Sequence, residues 1–282
     1  MSNAVPTLMG LGQRPVSAVA IFFPDHKVAG LRFAQSRGVP HVSISWGIHE
    51  ISPEVGAFMY RPDNAPVVLG AEWLVGAATV PALRFAEAFG RVDEILINAL
   101  VDEEDTGGPT VAVDFERLEK TLPASLVRTN FSYLWLQGED VKARFSAVDG
   151  TVIDASAFSS IDIVGLATAT GAPDVRFNIA TGVSSTRRGG GQMSTEIIVE
   201  LSGEDRSGQR LRTRHAVIHS KGTAPLTGLG VSMMLERLSG LDGNPAVSPG
   251  LYFPHQILNA DAYFKRLEAS GGSVQTLDSP GS

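Results

Sequence analysis

Cysteine is absent from the 282 residues. No disulfide, thiolate nucleophile or cysteine-held metal is open to the chain, and its redox compartment goes unmarked. Positive charge is short as well: 23 Lys and Arg against 30 Asp and Glu give a formal net charge of −7. Nucleic acids and anionic membranes are held by clustered basic residues, so neither is expected as a partner. No apolar run approaches the roughly 18 residues of a membrane span. The N-terminus, MSNAVPTLMGLGQRP, lacks a charged region followed by a long apolar stretch, so no signal peptide is read and a cytoplasmic location is the default expectation. Charged residues make up 19% and hydrophobic residues 43%, so the chain has the means to bury a core.

Short β-branched runs dominate the first hundred residues: Val16 to Phe23, Val39 to Ser45 and Pro66 to Gly70. Each is nearly continuously apolar, as strands covered on both faces are. Between the first two, Asp25 to Arg37 carries Val28, Leu31, Phe33 and Ala34 at helical spacing; after the third, Val75 to Phe89 does the same with Ala78, Leu83, Ala86 and Phe89. Strands alternating with helices predict a parallel, doubly wound sheet, with Glu94 to Val101 as a fourth strand. The acidic, Gly-rich break Asp102 to Pro109 marks a crossing into a second domain. Beyond it the pattern is antiparallel. Lys142 to Val148 and Thr151 to Asp154 flank the Asp149-Gly150 turn signal, and Met193 to Ser202 and Arg210 to His219 flank a polar turn. Glu196 and Glu200 opposite Arg210, Arg212 and Arg214 read as a solvated sheet face. Helices are expected at Ile161 to Ala169, capped by Ser159-Ser160, at Pro225 to Leu238 and at Asp261 to Ala269. The closing SGGSVQTLDSPGS reads as a frayed polar tail. The fold class is therefore α/β, a Rossmann-like parallel sheet with a second α+β domain built on an antiparallel sheet. The expected segments are 1–105, 106–221 and 222–282, the last returning to pack on the first.

This order of elements resembles the saccharopine dehydrogenase-like family over about residues 15 to 272. Ala18 to Asp25 (AVAIFFPD) is similar to the family's fourth Rossmann strand and its loop, and Val42 to Ile48 (VSISWGI) to the fifth. Gly70 to Gly76 (GAEWLVG) stands where the family tends to carry Gly-x-x-Pro-Gly; Gly76 matches and Val75 replaces the proline. Glu103 to Pro109 is similar to the exit into the substrate domain, Gly222-Thr223-Ala224 to the return from it, and Pro249-Gly250 with Pro254 to Leu267 to the C-terminal end. The resemblance implies an NAD(P)-dependent oxidoreductase acting on a carbon–nitrogen bond of an amino or imino acid, with cofactor contacts at Pro24, Asp25 and Ser45. It also implies a preceding strand, a Gly-x-Gly-x-x-Gly turn and a helix, which together hold the dinucleotide diphosphate. That fingerprint is missing. Gly10-Leu11-Gly12 has no strand before it, Pro15 soon after it and no third glycine; Gly228-Leu229-Gly230 falls inside a helix and reads as a packing feature. Either the chain starts past the first strands or the protein has given up the usual cofactor, and both readings stand.

In open α/β sheets ligands gather at the carboxyl ends of the strands. Three such ends are legible: Pro24, Asp25 and His26; Ser45, Trp46, His49 and Glu50; Glu72 and Trp73. His49, Glu50 and His26 are the candidates for proton transfer, because imidazole titrates near neutral pH and a carboxylate can orient it. Asp25 can equally cap the helix it precedes. Trp46, Glu72, Trp73 and Tyr133 are candidate substrate contacts. Arg187 and Arg188, ahead of Arg128 and Arg144, are candidates for a carboxylate clamp, since guanidinium presents a planar fork. The expected site lies between the three strand ends and Thr181 to Gly191. No metal set emerges, and no Gly-x-Ser-x-Gly elbow supports a hydrolase. The alternative to the oxidoreductase is a cofactor-independent cyclase, isomerase or lyase on the same scaffold, or a binding or subunit module. The expected partners are a small-molecule substrate and a second copy in a homodimer, joined either along the Val16 to Phe23 side or through the second domain's sheet.

Overall fold

The computed structural model describes residues 14–44, 47–107, 117 and 124–278. Four parallel strands form the smaller sheet: β1 (Val19–Ile21), β2 (His41–Ser43), β3 (Pro66–Leu69) and β12 (Gly250–Tyr252), in the order β1-β2-β3-β12. The two inner strands are buried along their whole length. That is why they carry His-Val-Ser and Pro-Val-Val-Leu with no alternation. Helices α1 (Ala29–Arg37) and α2 (Ser52–Met59) link the first three strands. Val28, Leu31 and Val67 share a core with Ala57, Phe58 and Leu251.

Nine strands form the larger sheet: β4 (Phe89–Asp102), β5 (Ser125–Thr129), β6 (Ser132–Leu136), β7 (Lys142–Ser146), β8 (Val152–Ala157), β9 (Asp174–Gly182), β10 (Thr195–Asp205), β11 (Arg210–His219) and β13 (Gly272–Thr276). The order is β13-β11-β10-β4-β9-β5-β6, and the β7–β8 hairpin adds on through β8 to β9. β4 and β9 run parallel; the other described pairings of this sheet are antiparallel. Helices α3 (Thr79–Ala86), α4 (Asp162–Thr170), α6 (Thr223–Leu238) and α8 (Ala260–Ala269) contribute to the main core; α5 (Ser185–Arg188) and α7 (Pro254–Ile257) are single turns. The period of two sorts the strand residues. Ile95, Ile97 and Ala99 of β4 and Ile197, Val199 and Leu201 of β10 pack with the helices; Leu100, Ile198, Ala216 and Ile218 form a second cluster with Phe145 and Ala147. Among the described residues no helix is long and apolar enough to cross a membrane.

Four features depart from the sequence reading. The Glu94 to Val101 strand does not extend the parallel sheet; as β4 it is central to the larger one, where β9 and β10 flank it. Glu196, Glu200 and Arg214 are buried rather than solvated, because the β7–β8 hairpin reaches their face: the Val148 amide donates to Glu196, and Arg214 donates to the Ser146 and Ala147 carbonyls. The closing segment is not wholly frayed, since Gly272–Thr276 pairs with His215–His219. Helix α2 has no counterpart in the reading, although Ser52-Pro53 is a helix-start signal.

Candidate functional site

Parallel register places the ends of β1, β2, β3 and β12 on one edge. That edge gathers the three expected loops and adds a fourth, Phe253 to His255, which follows β12. The expected residues other than Ser45 and Trp46 have defined places. Pro24 and His26 lie in the loop after β1. Asp25 caps α1: its Oδ2 accepts the Gly30 amide at 2.6 Å. After β2, Glu50 accepts the Gly47 amide at 2.9 Å and pairs with Arg117. Burial opposes ionisation of Glu50, but those contacts outweigh it and hold its carboxyl below the ordinary value. The ring nitrogens of His49 are buried without a hydrogen-bond partner among the described residues. Ser45 and Trp46 lie outside the described residues. Trp73 is a core side chain, edge-on to Phe158 and Phe177 at 5.3 and 5.8 Å.

The clamp candidates are engaged by the chain's own groups. Arg187 lies 3.3 Å from Asp102, 2.5 Å from Glu103, and pairs with Glu104. Arg188 forks onto Asp149 at 2.7 and 2.8 Å, and Arg144 meets Asp154 at 2.6 Å. Tyr133 stands half-exposed on β6 with the Arg128 guanidinium 5.4 Å from its ring centre. What meets Glu72 and Trp73 from the other part of the chain is the start of α4, with Ser160, Asp162 and Gly165.

Glu72 and His255 form the chemical centre of this junction. Glu72 is fully buried, and its Oε1 lies 2.5 Å from His255 Nδ1, whose side chain keeps 9% of its surface exposed. Burial, reinforced by the nearby Asp162 charge and opposed by His255, pushes the Glu72 carboxyl up to about 7. Its Oε2 has no partner among the described residues. The fold makes room for the pair with glycine: a Cβ on Gly165 would stand 3.0 Å from His255 Cε1 and 3.3 Å from Glu72 Oε1. Asp162, also buried, ties the loop after β3 to α4. It accepts the Trp73 amide at 2.6 Å, the Thr79 hydroxyl at 2.5 Å and the Ser160 hydroxyl. Burial raises the pKa of Asp162 too, against those three donors. The loop between is strained: Leu74, Val75 and Gly76 take φ of 48, 62 and 91°. A β-branched residue in the left-handed region costs about 1–3 kcal/mol and persists only where the surroundings enforce it. Here α6 does so: a Cβ on Gly230 would lie 2.3 Å from the Val75 carbonyl oxygen, so Gly230 has the packing role its place in the sequence suggests.

His255 is the residue that sequence reasoning missed. Its signal was the short run Gly250-Leu251-Tyr252 ahead of Pro254, a strand pattern too brief to count as one. The arrangement can hold and pass one proton between a carboxyl of raised pKa and an imidazole at the sheet edge. Among the described residues no group of three His, Asp or Glu is placed to hold a metal ion.

The described turns do not fit a dinucleotide diphosphate, which needs free amides at a helix start. At α1 the Gly30 amide is taken by Asp25. At α2, Pro53 removes an amide and Glu54 puts a carboxylate in the first turn. In the loop before α3, Asp162 takes the Trp73 amide.

No protein-family model matches the sequence, and no curated protein matches it. Solved structures do. Saccharopine dehydrogenase (L-Glu forming) from Saccharomyces cerevisiae superposes with a TM-score of 0.59 at 12% identity, over 93% of this chain and 85% of that one. Amine dehydrogenase from Mycobacterium smegmatis gives 0.43 at 15% identity, over 86% and 75% of the two chains. Dipicolinate-bound dihydrodipicolinate reductase from Paenisporosarcina sp. TG-14 gives 0.37 at 13%, over 86% and 74%. The first of these superpositions shows a fold shared with saccharopine dehydrogenase, in the mixed α/β class expected.

Proposed function

We propose that this protein is an oxidoreductase-type enzyme acting on a carbon–nitrogen bond of an amino or imino acid, with the Glu72–His255 pair as its proton-transfer group. The observation that carries the reading is the buried carboxyl–imidazole contact at the carboxyl edge of a parallel sheet, in a fold shared with saccharopine dehydrogenase. Glu72 fixes His255 through Nδ1, leaving Nε2 to give a proton to, or take one from, a substrate nitrogen. The redox partner implied by the sequence resemblance is NAD(P). Its diphosphate then has to be held outside the described residues. A second reading follows from Asp25, whose carboxylate fills the helix start after β1: the same pair performs acid–base chemistry alone, as a cyclase, isomerase or lyase does.

Titration of the isolated chain with NADH and NADPH separates the two. With no free helix-start amides at the described turns after β1, β2 and β3, the dissociation constant is expected to be no better than roughly millimolar. Calorimetry or cofactor fluorescence checks this. Weak binding with dinucleotide-independent conversion of an amino or imino acid supports the second reading. Conversion that requires the dinucleotide, even one held so weakly, supports the first reading, and micromolar binding overturns the expected weak affinity.

A further inference from the structure

We infer that the groove between α3, α8 and the β11–β13 pair is a binding site for a small organic cation that carries an aromatic ring. The groove shares no residue with the Glu72–His255 junction, so the inference stands apart from the function proposed above. It holds about 420 Å³, within the roughly 300–1,000 Å³ of small-molecule sites. The period of two builds its floor: His215 and Val217 of β11 turn toward the helices, and antiparallel register sets Thr276 and Val274 of β13 opposite them. Phe85 of α3 and Phe264 of α8 supply the walls. The His215 imidazole lies on the Phe85 ring at 4.0 Å and 20°, and Phe264 stands 6.1 Å from Phe85 at 37°. Three rings thus meet at one half-buried place. A fourth, from a ligand, extends the series by the same offset contacts.

The charges decide which end group such a ligand carries. Arg84 and Glu268 are the charged side chains that line the groove among the described residues. Arg84 is committed: its two terminal nitrogens lie 2.9 Å from Glu87 and 3.1 Å from Asp261. Glu268, on the exposed side of α8, has no ion pair among the described residues. An anion would have to displace Glu87 or Asp261 and would then face Glu268. An ammonium meets a carboxylate that is open to it and ring faces that attract positive charge. His215 does not repel it, because burial lowers the pKa of the imidazole and keeps the ring neutral at pH 7.

Proton NMR of the full chain reads the site directly. A ligand ring beside His215 moves the imidazole resonances, which loss of signal in His215→Gln identifies. Phenethylamine is expected to shift them saturably, with a Kd of about 1 mM or tighter. The anion 3-phenylpropionate should bind about fivefold more weakly or worse. Glu268→Lys, an exposed change that leaves the circular dichroism unaltered, should weaken phenethylamine about fivefold or more. Phe85→Leu keeps an apolar wall without the ring and should weaken it about threefold. The inference is overturned if about 10 mM phenethylamine produces no saturable shift at His215, if 3-phenylpropionate binds as tightly, or if Glu268→Lys leaves the affinity unchanged.

Discussion

His255→Ala is expected to lower turnover of the amino or imino acid substrate by about 10²-fold or more, the usual contribution of a placed general acid or base. Glu72→Gln keeps the shape of the partner and removes its titration. It should depress kcat with little change in KM, and it should abolish the limb near pH 7 in the pH–rate profile, a limb that belongs to the pair as a unit. Stability supplies a readout independent of substrate. Burial raises the Glu72 carboxyl from an ordinary 4.5 to about 7. A raised carboxyl contributes stability in full below the unfolded value and loses it as pH rises through the folded one, so this contribution disappears between about pH 4.5 and 7. Glu54, buried beside His41 and Ser43 and also raised to about 7, adds the same sign. The gain in stability of Glu72→Gln over wild type should therefore grow from pH 4 to pH 8 in urea unfolding. A His255→Ala enzyme with wild-type turnover would falsify the proton-transfer role, and a gain independent of pH would contradict the raised carboxyl.

Asp162→Ala is the second large effect. The change strands the Trp73 amide and the Thr79 and Ser160 hydroxyls in a buried place, where each lost partner costs about 1–3 kcal/mol. The expected loss is about 3 kcal/mol or more by urea unfolding, with Asp162→Asn milder because one acceptor oxygen survives. Function should shift along with stability. The Asp162 charge helps to raise Glu72, so its removal should move the acidic limb of the pH–rate profile downward. A loss below about 1 kcal/mol would mean that water or a rearranged loop replaces the carboxylate.

Much of this architecture can be read from local pattern. The continuous apolar runs gave β2 and β3 because inner parallel strands are covered twice, and Asp149-Gly150 gave the β7–β8 hairpin because the turn demands that chemistry. Asp25 as a helix cap was legible for the same reason. What failed to show was long-range. β4 has the hydrophobic content of a Rossmann strand, and only its pairing with β9 and β10, about a hundred residues on, assigns it to the other sheet. Within the candidate site, Glu72 is legible from its place at a strand end. Its partner His255 lies 183 residues away on a single helical turn, beyond the reach of any spacing argument. The arginines stand out in the sequence by residue type. Type alone does not reveal that Asp102, Glu103, Glu104 and Asp149 engage them.

The place of β4 also sets the order in which the chain can be assembled. Its long partners, β9 (Asp174–Gly182) and β10 (Thr195–Asp205), leave the ribosome some eighty and a hundred residues after it. β12, the last strand of the smaller sheet, comes later still. Closing such distant contacts is slow, because chain entropy is lost before any pairing rewards it. During synthesis, then, Ile95, Ile97 and Leu100 wait without their sheet, the condition in which apolar strands attract chaperones or each other. Nascent chains stopped short of Asp205 are accordingly the species that most need protection, because β4 then lacks one or both of its flanking strands.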